Sequence, residues 1–344
     1  MSGSKMSAEI REQPEVLERI LDEGWDEVLS ASRSLRQDDL RSVMIAARGT
    51  SDNAALYAKY LFEVLLGVPT ALASPSTFTL YESRLSLEGV LVVGISQSGE
   101  SQDVLETIRR SGELGANTLT VTNDERSAMA KVGQHHFFLR AGKEESVAAT
   151  KTYTAELMML YLLVCALKGE ESPDDEVRGL PDLSRRVLEA EWEGTQRYRY
   201  AENMVVTSRG YNLATAQEAA LKLMETTYVV AHAFSAADLR HGPIAMIGRD
   251  FPVLAIAPPG RAQEGMRSLV ENLKERGAEL LVIGDDEAML EKASARFPLP
   301  GSLPEELSPI LCAIPIQLLA ENLARLKGLD PDAPRGLSKV TETW

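Results

Sequence analysis

The chain has 344 residues, of which 44% are apolar, and its formal net charge is −15. Its length allows two domains with separate cores. The negative charge, without a long run of lysine or arginine, argues against a nucleic-acid partner. The polar stretch from Met1 to Arg11 predicts no secretory signal, and the longest apolar run, Leu157 to Leu167, is too short to span a bilayer. We therefore expect a cytoplasmic protein without membrane association.

Short apolar strands and helix-period segments alternate along the chain. A helical segment, Glu15 to Ser34, precedes an apolar run that ends at Arg48-Gly49, and a helix over Ala54 to Leu66 follows. The run from Val90 to Ile95 predicts a further buried strand. Since a crossover helix must return the chain to the same edge of a sheet, this alternation predicts α/β domains with parallel sheets and helices on both faces.

The chain aligns with itself at an offset of about 161 residues, which indicates two copies of one α/β unit. Arg48-Gly49 falls on Arg209-Gly210, and Gly99 falls on Gly260. We interpret the polar, proline-containing stretch Lys168 to Asp182 as a solvated linker between the copies. The predicted divisions are an N-terminal helical segment at 1–36, a first repeat at 37–170, a second repeat at 183–329 and an irregular tail at 330–344.

A serine-rich turn, Ser96 to Ser101, lies between the buried strand predicted at Val90 to Ile95 and a helix. Open parallel sheets bind ligands at this edge, and the amides that begin the next helix favour an anion, so the turn predicts a phosphate site that needs no metal. The alternative is that Ser96 and Ser98 only cap the helix, although capping needs just one serine. Two further turns with Ser or Thr, Gly49 to Ser51 and Ala148 to Lys151, also precede helices.

The second copy lacks the hydroxyls of that turn. Ala257 to Gly260 replaces them with a pair of prolines, which also removes two backbone donors, so we expect one anion site per chain. This copy supplies ionisable groups instead, among them His241 and the helical trio Glu218, Lys222 and Glu225. The trio fits either a surface ion-pair ladder or a carboxylate tuned by a lysine for proton transfer, and the spacing leaves both interpretations open.

The cysteines and histidines do not suggest a metal centre. Cys165 and Cys312 lie in apolar helical patterns and are interpreted as reduced core residues. No pair among the four histidines has the spacing of a zinc site. We therefore predict neither a metal nor a cofactor.

The ordered motifs resemble the SIS (sugar isomerase) family, specifically the isomerase half of glucosamine-6-phosphate synthase and its relatives. The resemblance covers nearly the whole chain, and the residue numbers of its motifs are 48–51, 96–101, 147–151, 220–225, 239–243 and 334–339. It implies two tandem SIS domains, each a three-layer αβα sandwich with a mainly parallel, flavodoxin-like sheet. It also implies a homodimer with shared active sites.

The same resemblance implies the roles of individual residues. Glu225 would move a proton between C1 and C2 of an amino-sugar phosphate, His241 would open the sugar ring, often from the neighbouring subunit, and Lys339 would approach the carbonyl carbon. The residues implied in substrate binding are Gly49, Thr50, Ser51, Ser96, Gln97, Ser98, Gly99, Ser101, Val147, Ala148, Lys222 and Ser338.

Three departures from the synthase pattern favour a different reaction. The chain begins at Met1-Ser2-Gly3 without a glutaminase domain, Arg48 stands where the synthase pattern has cysteine, and Ala149 stands where it has serine. Other motifs look more like the glutaminase-free glucosamine-6-phosphate deaminases of this fold, so we expect deamination to fructose 6-phosphate and ammonia. The alternatives are an isomerase or deglycase for another amino-sugar or fructosamine phosphate, a glutaminase-lacking aminotransferase, and a sugar-phosphate sensor without catalysis.

Overall fold

The computed structural model describes residues 3–37, 40–301 and 303–339, which form two compact units. Of the described residues, the N-terminal unit comprises 15–37, 40–144, 151–178 and 337–339. The C-terminal unit comprises 3–14, 145–150, 179–301 and 303–336. Each unit therefore contains one of the two sequence repeats together with short segments from elsewhere in the chain.

The first repeat forms a five-stranded parallel sheet. Its strands are β1 (Ser42–Ala46), β2 (Thr70–Leu72), β3 (Val90–Ile95), β4 (Asn117–Thr122) and β5 (His135–Phe138). They pair in the order β2-β1-β3-β4-β5. The apolar run of β3 is buried from Leu91 onward, as expected for a parallel strand covered on both faces.

The second repeat forms the same sheet again. Its strands are β6 (Asn203–Ser208), β7 (Val230–Ser235), β8 (Pro252–Ala257), β9 (Glu279–Gly284) and β10 (Ala295–Pro298). They pair in parallel in the order β7-β6-β8-β9-β10. The two sheets share one flavodoxin-like order, so the predicted pair of tandem αβα domains is confirmed.

Fifteen α-helices are described. They are α1 (Lys5–Arg11), α2 (Gln13–Glu23), α3 (Trp25–Gln37), α4 (Thr50–Leu61), α5 (Ser76–Thr79), α6 (Gln102–Glu113), α7 (Ala128–Val132), α8 (Lys151–Lys168), α9 (Asp175–Arg178), α10 (Leu180–Glu189), α11 (Leu213–Thr227), α12 (Ala236–Arg240), α13 (Gln263–Glu275), α14 (Glu287–Lys292) and α15 (Ser308–Leu326). In the N-terminal unit α4 and α6 pack on the sheet, and α8 packs on α3 and α4. In the C-terminal unit α11 and α13 pack on the sheet, and α15 packs on α11 and α10.

The linker prediction was wrong in part, because helical residues occupy much of Lys168 to Asp182. Helix α9 lies inside it, and α10 begins before it ends. Asp174 Oδ1 accepts a hydrogen bond from the Val177 amide at 2.9 Å, and the Val177 side chain is buried. The segment was predicted to be a loop because its composition is polar, but it contains a helical turn that Asp174 caps and that buries the side chain of Val177.

Two predicted helices also have different bounds. The segment from Glu15 is two helices, α2 and α3, which are separated at Gly24. The helix predicted to reach Leu66 ends as α4 at Leu61 and continues as a π-helix over Phe62–Leu66, which Gly67 ends with a φ of 67°. Gly67 can adopt this left-handed conformation because it has no Cβ.

Helix α15 is the one described helix that is long and apolar enough to cross a membrane, by length and composition alone. It has 19 residues, and 78% of its most apolar window is buried in the structure. The core helix of a soluble protein meets the same criteria, so this helix is weak grounds for a membrane span. Its packing against α11 and α10 explains its composition.

Both cysteines are buried, Cys165 in α8 and Cys312 in α15, as predicted. Burial raises the pKa of the Cys165 thiol to about 12 and also raises the pKa of the Cys312 thiol. Because the thiolate is the reactive form, neither residue should react with Ellman's reagent at pH 8 in the folded protein. Two thiols per chain should react after denaturation, and rapid reaction of the folded protein would contradict this prediction.

Candidate functional site

The serine-rich turn lies between β3 and α6, at the carboxyl end of a buried strand. The Gly99 amide donates a hydrogen bond to Ser96 Oγ at 3.2 Å, and the Glu100 amide donates one to Ser98 Oγ at 3.2 Å. Both hydroxyls therefore bind amides of the turn, and neither caps α6. Within the described residues neither hydroxyl donates a hydrogen bond, so each has a proton to offer to an anion.

Gly99 is required for the path of this turn. Its φ is 67°, and a Cβ built on it would lie 2.2 Å from Ser127 Oγ. A side chain would therefore both strain the backbone and displace Ser127. Gln97 and Ser98, which directly precede Gly99, are half-buried and reach the surface.

The N-terminus of α6 has no side-chain cap. Ser101 is the N-cap residue, but its hydroxyl donates to Asp103 Oδ1 at 3.0 Å and accepts no helix amide. Asp103 also accepts a hydrogen bond from the Val104 amide at 2.9 Å. The positive end of a helix of 12 residues thus begins directly after the serine turn.

Arg48 lies at the end of β1 and adds a positive charge at Asp103. Its Nε donates to Asp103 Oδ2 at 2.6 Å. The Arg48 side chain is 51% exposed, whereas the Asp103 side chain is 2% exposed. Sequence reasoning missed Asp103, because an acidic residue in a first helical turn is common and has no distinctive pattern.

Gly49, Thr50 and Ser51 begin α4 as predicted. Gly49 has a φ of 57°, which glycine adopts readily. The buried Ser51 hydroxyl donates to Glu156 Oε1 on α8 at 2.8 Å, so in this structure it belongs to a buried polar contact. A direct contact between Ser51 and a sugar remains a prediction.

The tail lysine is held by a carboxylate that the sequence did not single out. Lys339 Nζ lies 3.1 Å from Glu144 Oε2, and the Glu144 side chain is fully buried. Glu144 also accepts hydrogen bonds from the Thr152 hydroxyl at 2.6 Å and the Thr152 amide at 3.2 Å. The start of α8 and the tail therefore share one carboxylate, with Ser338 exposed beside it. No short-range pattern could link residues so far apart in the chain.

Two members of the trio on α11, Glu218 and Lys222, are buried, which excludes a surface ion-pair ladder. Lys222 Nζ lies 2.6 Å from Glu225 Oε2 and 3.4 Å from Glu218 Oε1. The Lys222 and Glu218 side chains are fully buried, and the Glu225 side chain is 22% exposed. Glu225 thus combines a partner cation with access to solvent, as a residue that exchanges protons with a ligand requires.

The other residues of the C-terminal unit that were predicted to belong to the site lie after α12 and in the segment before α8. His241 directly follows α12 and is exposed, and its amide donates to the Asp238 carbonyl at 3.0 Å. Val147 is half-buried and Ala148 is buried in the segment before α8. Within residues 3–37, 40–301 and 303–339, no group of three His, Cys, Asp or Glu side chains is arranged to hold a metal ion.

The fold and these motifs agree with a comparison against protein-family models. The SIS domain model matches residues 38–166 and 198–324, one match for each repeat. The chain belongs to the SIS-domain family.

Two relatives share considerable sequence with this SIS-domain chain. Glutamine–fructose-6-phosphate aminotransferase (isomerizing) of Methanothermobacter thermautotrophicus is 36% identical over 340 residues, which are 97% of this chain and 56% of the relative. The chain thus spans little more than half the length of that curated relative. A solved structure from Silicibacter pomeroyi DSS-3, named as a phosphosugar isomerase, is 31% identical with a TM-score of 0.86, covering 96% of this chain and all of the other.

A third similarity concerns the fold alone. The solved structure of glucosamine-6-phosphate deaminase from Thermotoga maritima is 22% identical, with a TM-score of 0.79, and covers 99% of this chain and all of the other.

Proposed function

We propose that this SIS-domain chain binds a phosphorylated amino sugar and moves protons between its first two carbons. The observation that carries the proposal is the turn from Ser96 to Ser101, in which the Ser96 and Ser98 hydroxyls have protons to donate beside the uncapped start of α6. These are the donors that a phosphate requires, and no metal is needed to complete them.

Glu225 is the proposed proton carrier. A C–H proton next to a carbonyl or imine is weakly acidic, and a carboxylate held within hydrogen-bond reach contributes a factor of about a hundred to ten thousand. Lys222, 2.6 Å away, fixes the orientation of one carboxylate oxygen. The resemblance to the family assigns ring opening to His241 and contact with the carbonyl carbon to Lys339.

The specific reaction that we propose is deamination of glucosamine 6-phosphate. Ring opening gives the open-chain aminoaldose, and transfer of a proton from C2 to C1 gives an imine at C2. Water then adds to that carbon and ammonia leaves, which yields fructose 6-phosphate. Arg48 in place of the cysteine of the synthase pattern favours this reaction, and so does Ala149 in place of serine.

A second candidate is synthesis in the opposite direction. The named aminotransferase relative, 36% identical over 97% of this chain, favours formation of glucosamine 6-phosphate from fructose 6-phosphate. That relative is nearly twice as long, so its complete activity does not transfer to this chain directly. The family resemblance also leads us to propose a homodimer that works in the cytoplasm.

One assay separates the candidates. The chain should release ammonia and fructose 6-phosphate in equal amounts from glucosamine 6-phosphate, without glutamine. Net synthesis of glucosamine 6-phosphate from fructose 6-phosphate and ammonia, with little ammonia released from glucosamine 6-phosphate, would favour the synthetic direction. Absence of turnover with glucosamine 6-phosphate, together with saturable binding of it, would contradict catalysis and favour a sugar-phosphate sensor.

A further inference from the structure

Three arginines surround a small cavity in the C-terminal unit. Arg209 directly follows β6, Arg240 ends α12, and Arg261 immediately precedes the first turn of α13. All three are exposed. The cavity has a volume of about 110 Å³, and its other lining residues are Ala236, Ala262 and Gly265.

The cavity occupies the place that the serine turn has in the first repeat. Arg209 aligns with Arg48, and Glu264 aligns with Asp103. In the first repeat the arginine is 2.6 Å from its carboxylate. In the second repeat Arg209 has no ion pair with Glu264, or with any other described carboxylate, within 4.0 Å.

The charge on the following turn is also reversed between the repeats. Glu100 in the first repeat aligns with Arg261 in the second. The second repeat therefore has two unpaired guanidinium groups where the first repeat has one paired guanidinium and one carboxylate. Arg240 adds a third positive charge from α12.

The carboxylates near this cavity are engaged elsewhere. Glu305 accepts hydrogen bonds from the Arg261 amide at 2.8 Å and the Ala262 amide at 3.3 Å, so it is bound to the turn before α13. Asp238 on α12 accepts a hydrogen bond from the Ser235 hydroxyl at 2.7 Å. Neither lies within 4.0 Å of the three guanidinium groups, as none of these forms an ion pair in the described part of the chain.

Among the residues that the structure describes, the one hydrogen bond from these guanidinium groups runs from Arg240 to the Gly265 carbonyl, at 3.1 Å. Three like charges held around one small space repel each other, and an anion between them would remove that repulsion. Their clustering is selective, because the chain as a whole carries a net charge of −15. The cluster therefore requires an explanation other than a generally basic surface.

We propose that this cavity is a second anion site, which takes the terminal phosphoryl group of a small phosphorylated metabolite. Guanidinium groups bind phosphate through paired, charge-assisted hydrogen bonds. A volume of about 110 Å³ is well below that of a complete ligand pocket, so the rest of the metabolite lies outside the cavity. We expected one anion site per chain because the second repeat lacks the hydroxyls and two of the backbone donors of the serine turn. In the proposed second site, arginine side chains supply the hydrogen-bond donors instead.

The site is tested by counting bound phosphate with equilibrium dialysis against ³²P-labelled inorganic phosphate. Wild-type protein should bind two phosphates per chain, with a dissociation constant at the second site of about 1 mM or less. Arg209→Gln with Arg240→Gln should remove one phosphate, and Ser96→Ala with Ser98→Ala should remove the other. The matched control, Arg249→Gln with Arg276→Gln, loses the same charge from exposed positions in the same unit and should still bind two.

A second variant fills the cavity without removing an arginine. A Cβ built at Gly265 meets no atom within 4 Å, so Gly265→Leu has room on the surface of α13. It should also lose one phosphate, and its far-ultraviolet circular dichroism should match that of the wild type.

Each result decides one question. If the wild type binds one phosphate, and only the serine variant loses it, the second site is wrong and the proposed phosphate turn stands. If only the arginine and Gly265→Leu variants lose phosphate, the second site stands and the proposed role of the serine turn is wrong. Equal losses in the arginine variant and its matched control would also overturn the second site, because general charge would then explain the binding.

Discussion

Replacing Glu225 with glutamine should reduce kcat for glucosamine 6-phosphate by a factor of about a hundred to ten thousand. The variant should still bind the sugar phosphate, because the proposed phosphate donors lie in the serine turn. Glutamine has nearly the same shape as glutamate and keeps an oxygen for Lys222, which lies 2.6 Å from Glu225 Oε2. The change therefore removes the base and little else.

Turnover is measured by ammonia release, and binding by isothermal titration calorimetry under the same conditions. Glu291→Gln is the matched control, because it makes the same substitution at an exposed position of α14 in the same unit. It should leave kcat unchanged. A Glu225→Gln variant that retains most of its turnover would show that another group moves the proton.

The Glu225→Gln variant also tests whether active sites are shared between subunits. Glu225→Gln and His241→Asn should each be nearly inactive alone. If His241 is supplied by a neighbouring chain, mixing the two under conditions that exchange subunits should restore part of the activity. A mixture that stays inactive after verified exchange would show that both residues act from one chain.

The fold could be predicted from the sequence because its signals are local and repeated. The apolar run of β3, the turn at Gly49 and their counterparts about 161 residues later specify strand, turn and helix twice. The linker was predicted less well, since α9 depends on one cap from Asp174 and one buried side chain, Val177. Such short helices have too little periodicity to separate them from a loop.

The candidate site was only partly predictable, because burial and long-range pairing are not visible in residue spacing. The spacing of Lys222 and Glu225 fits an exposed helix surface as well as a buried one, and only the structure shows that Lys222 is fully buried. Glu144 could not be singled out from the sequence, because its ion-pair partner Lys339 is distant in the chain. Residue spacing therefore indicates turns at the ends of strands more reliably than the buried carboxylates that pair with lysines.

Replacing Lys222 with methionine should destabilise the C-terminal unit by about 3 to 5 kcal/mol, the usual cost of removing one partner from a buried ion pair. Glu218 would keep its charge at a fully buried position and lose the ammonium group 3.4 Å away. Methionine fills a similar volume, so lost packing contributes little. Urea unfolding, followed by circular dichroism, measures the change.

Two comparisons identify the buried charge as the cause. Lys292→Met removes one partner of a more exposed pair, 3.6 Å from Glu271, and should cost no more than about 1 kcal/mol. In the double variant Lys222→Met with Glu218→Gln the orphaned carboxylate becomes neutral, so it should recover much of the lost stability. A double variant as unstable as the sum of its single changes would mean that Lys222 stabilises α11 by packing. If the double variant regains stability but not turnover, Lys222 has two separate roles. It balances the charge of Glu218 in the folded helix, and it orients Glu225 for the reaction.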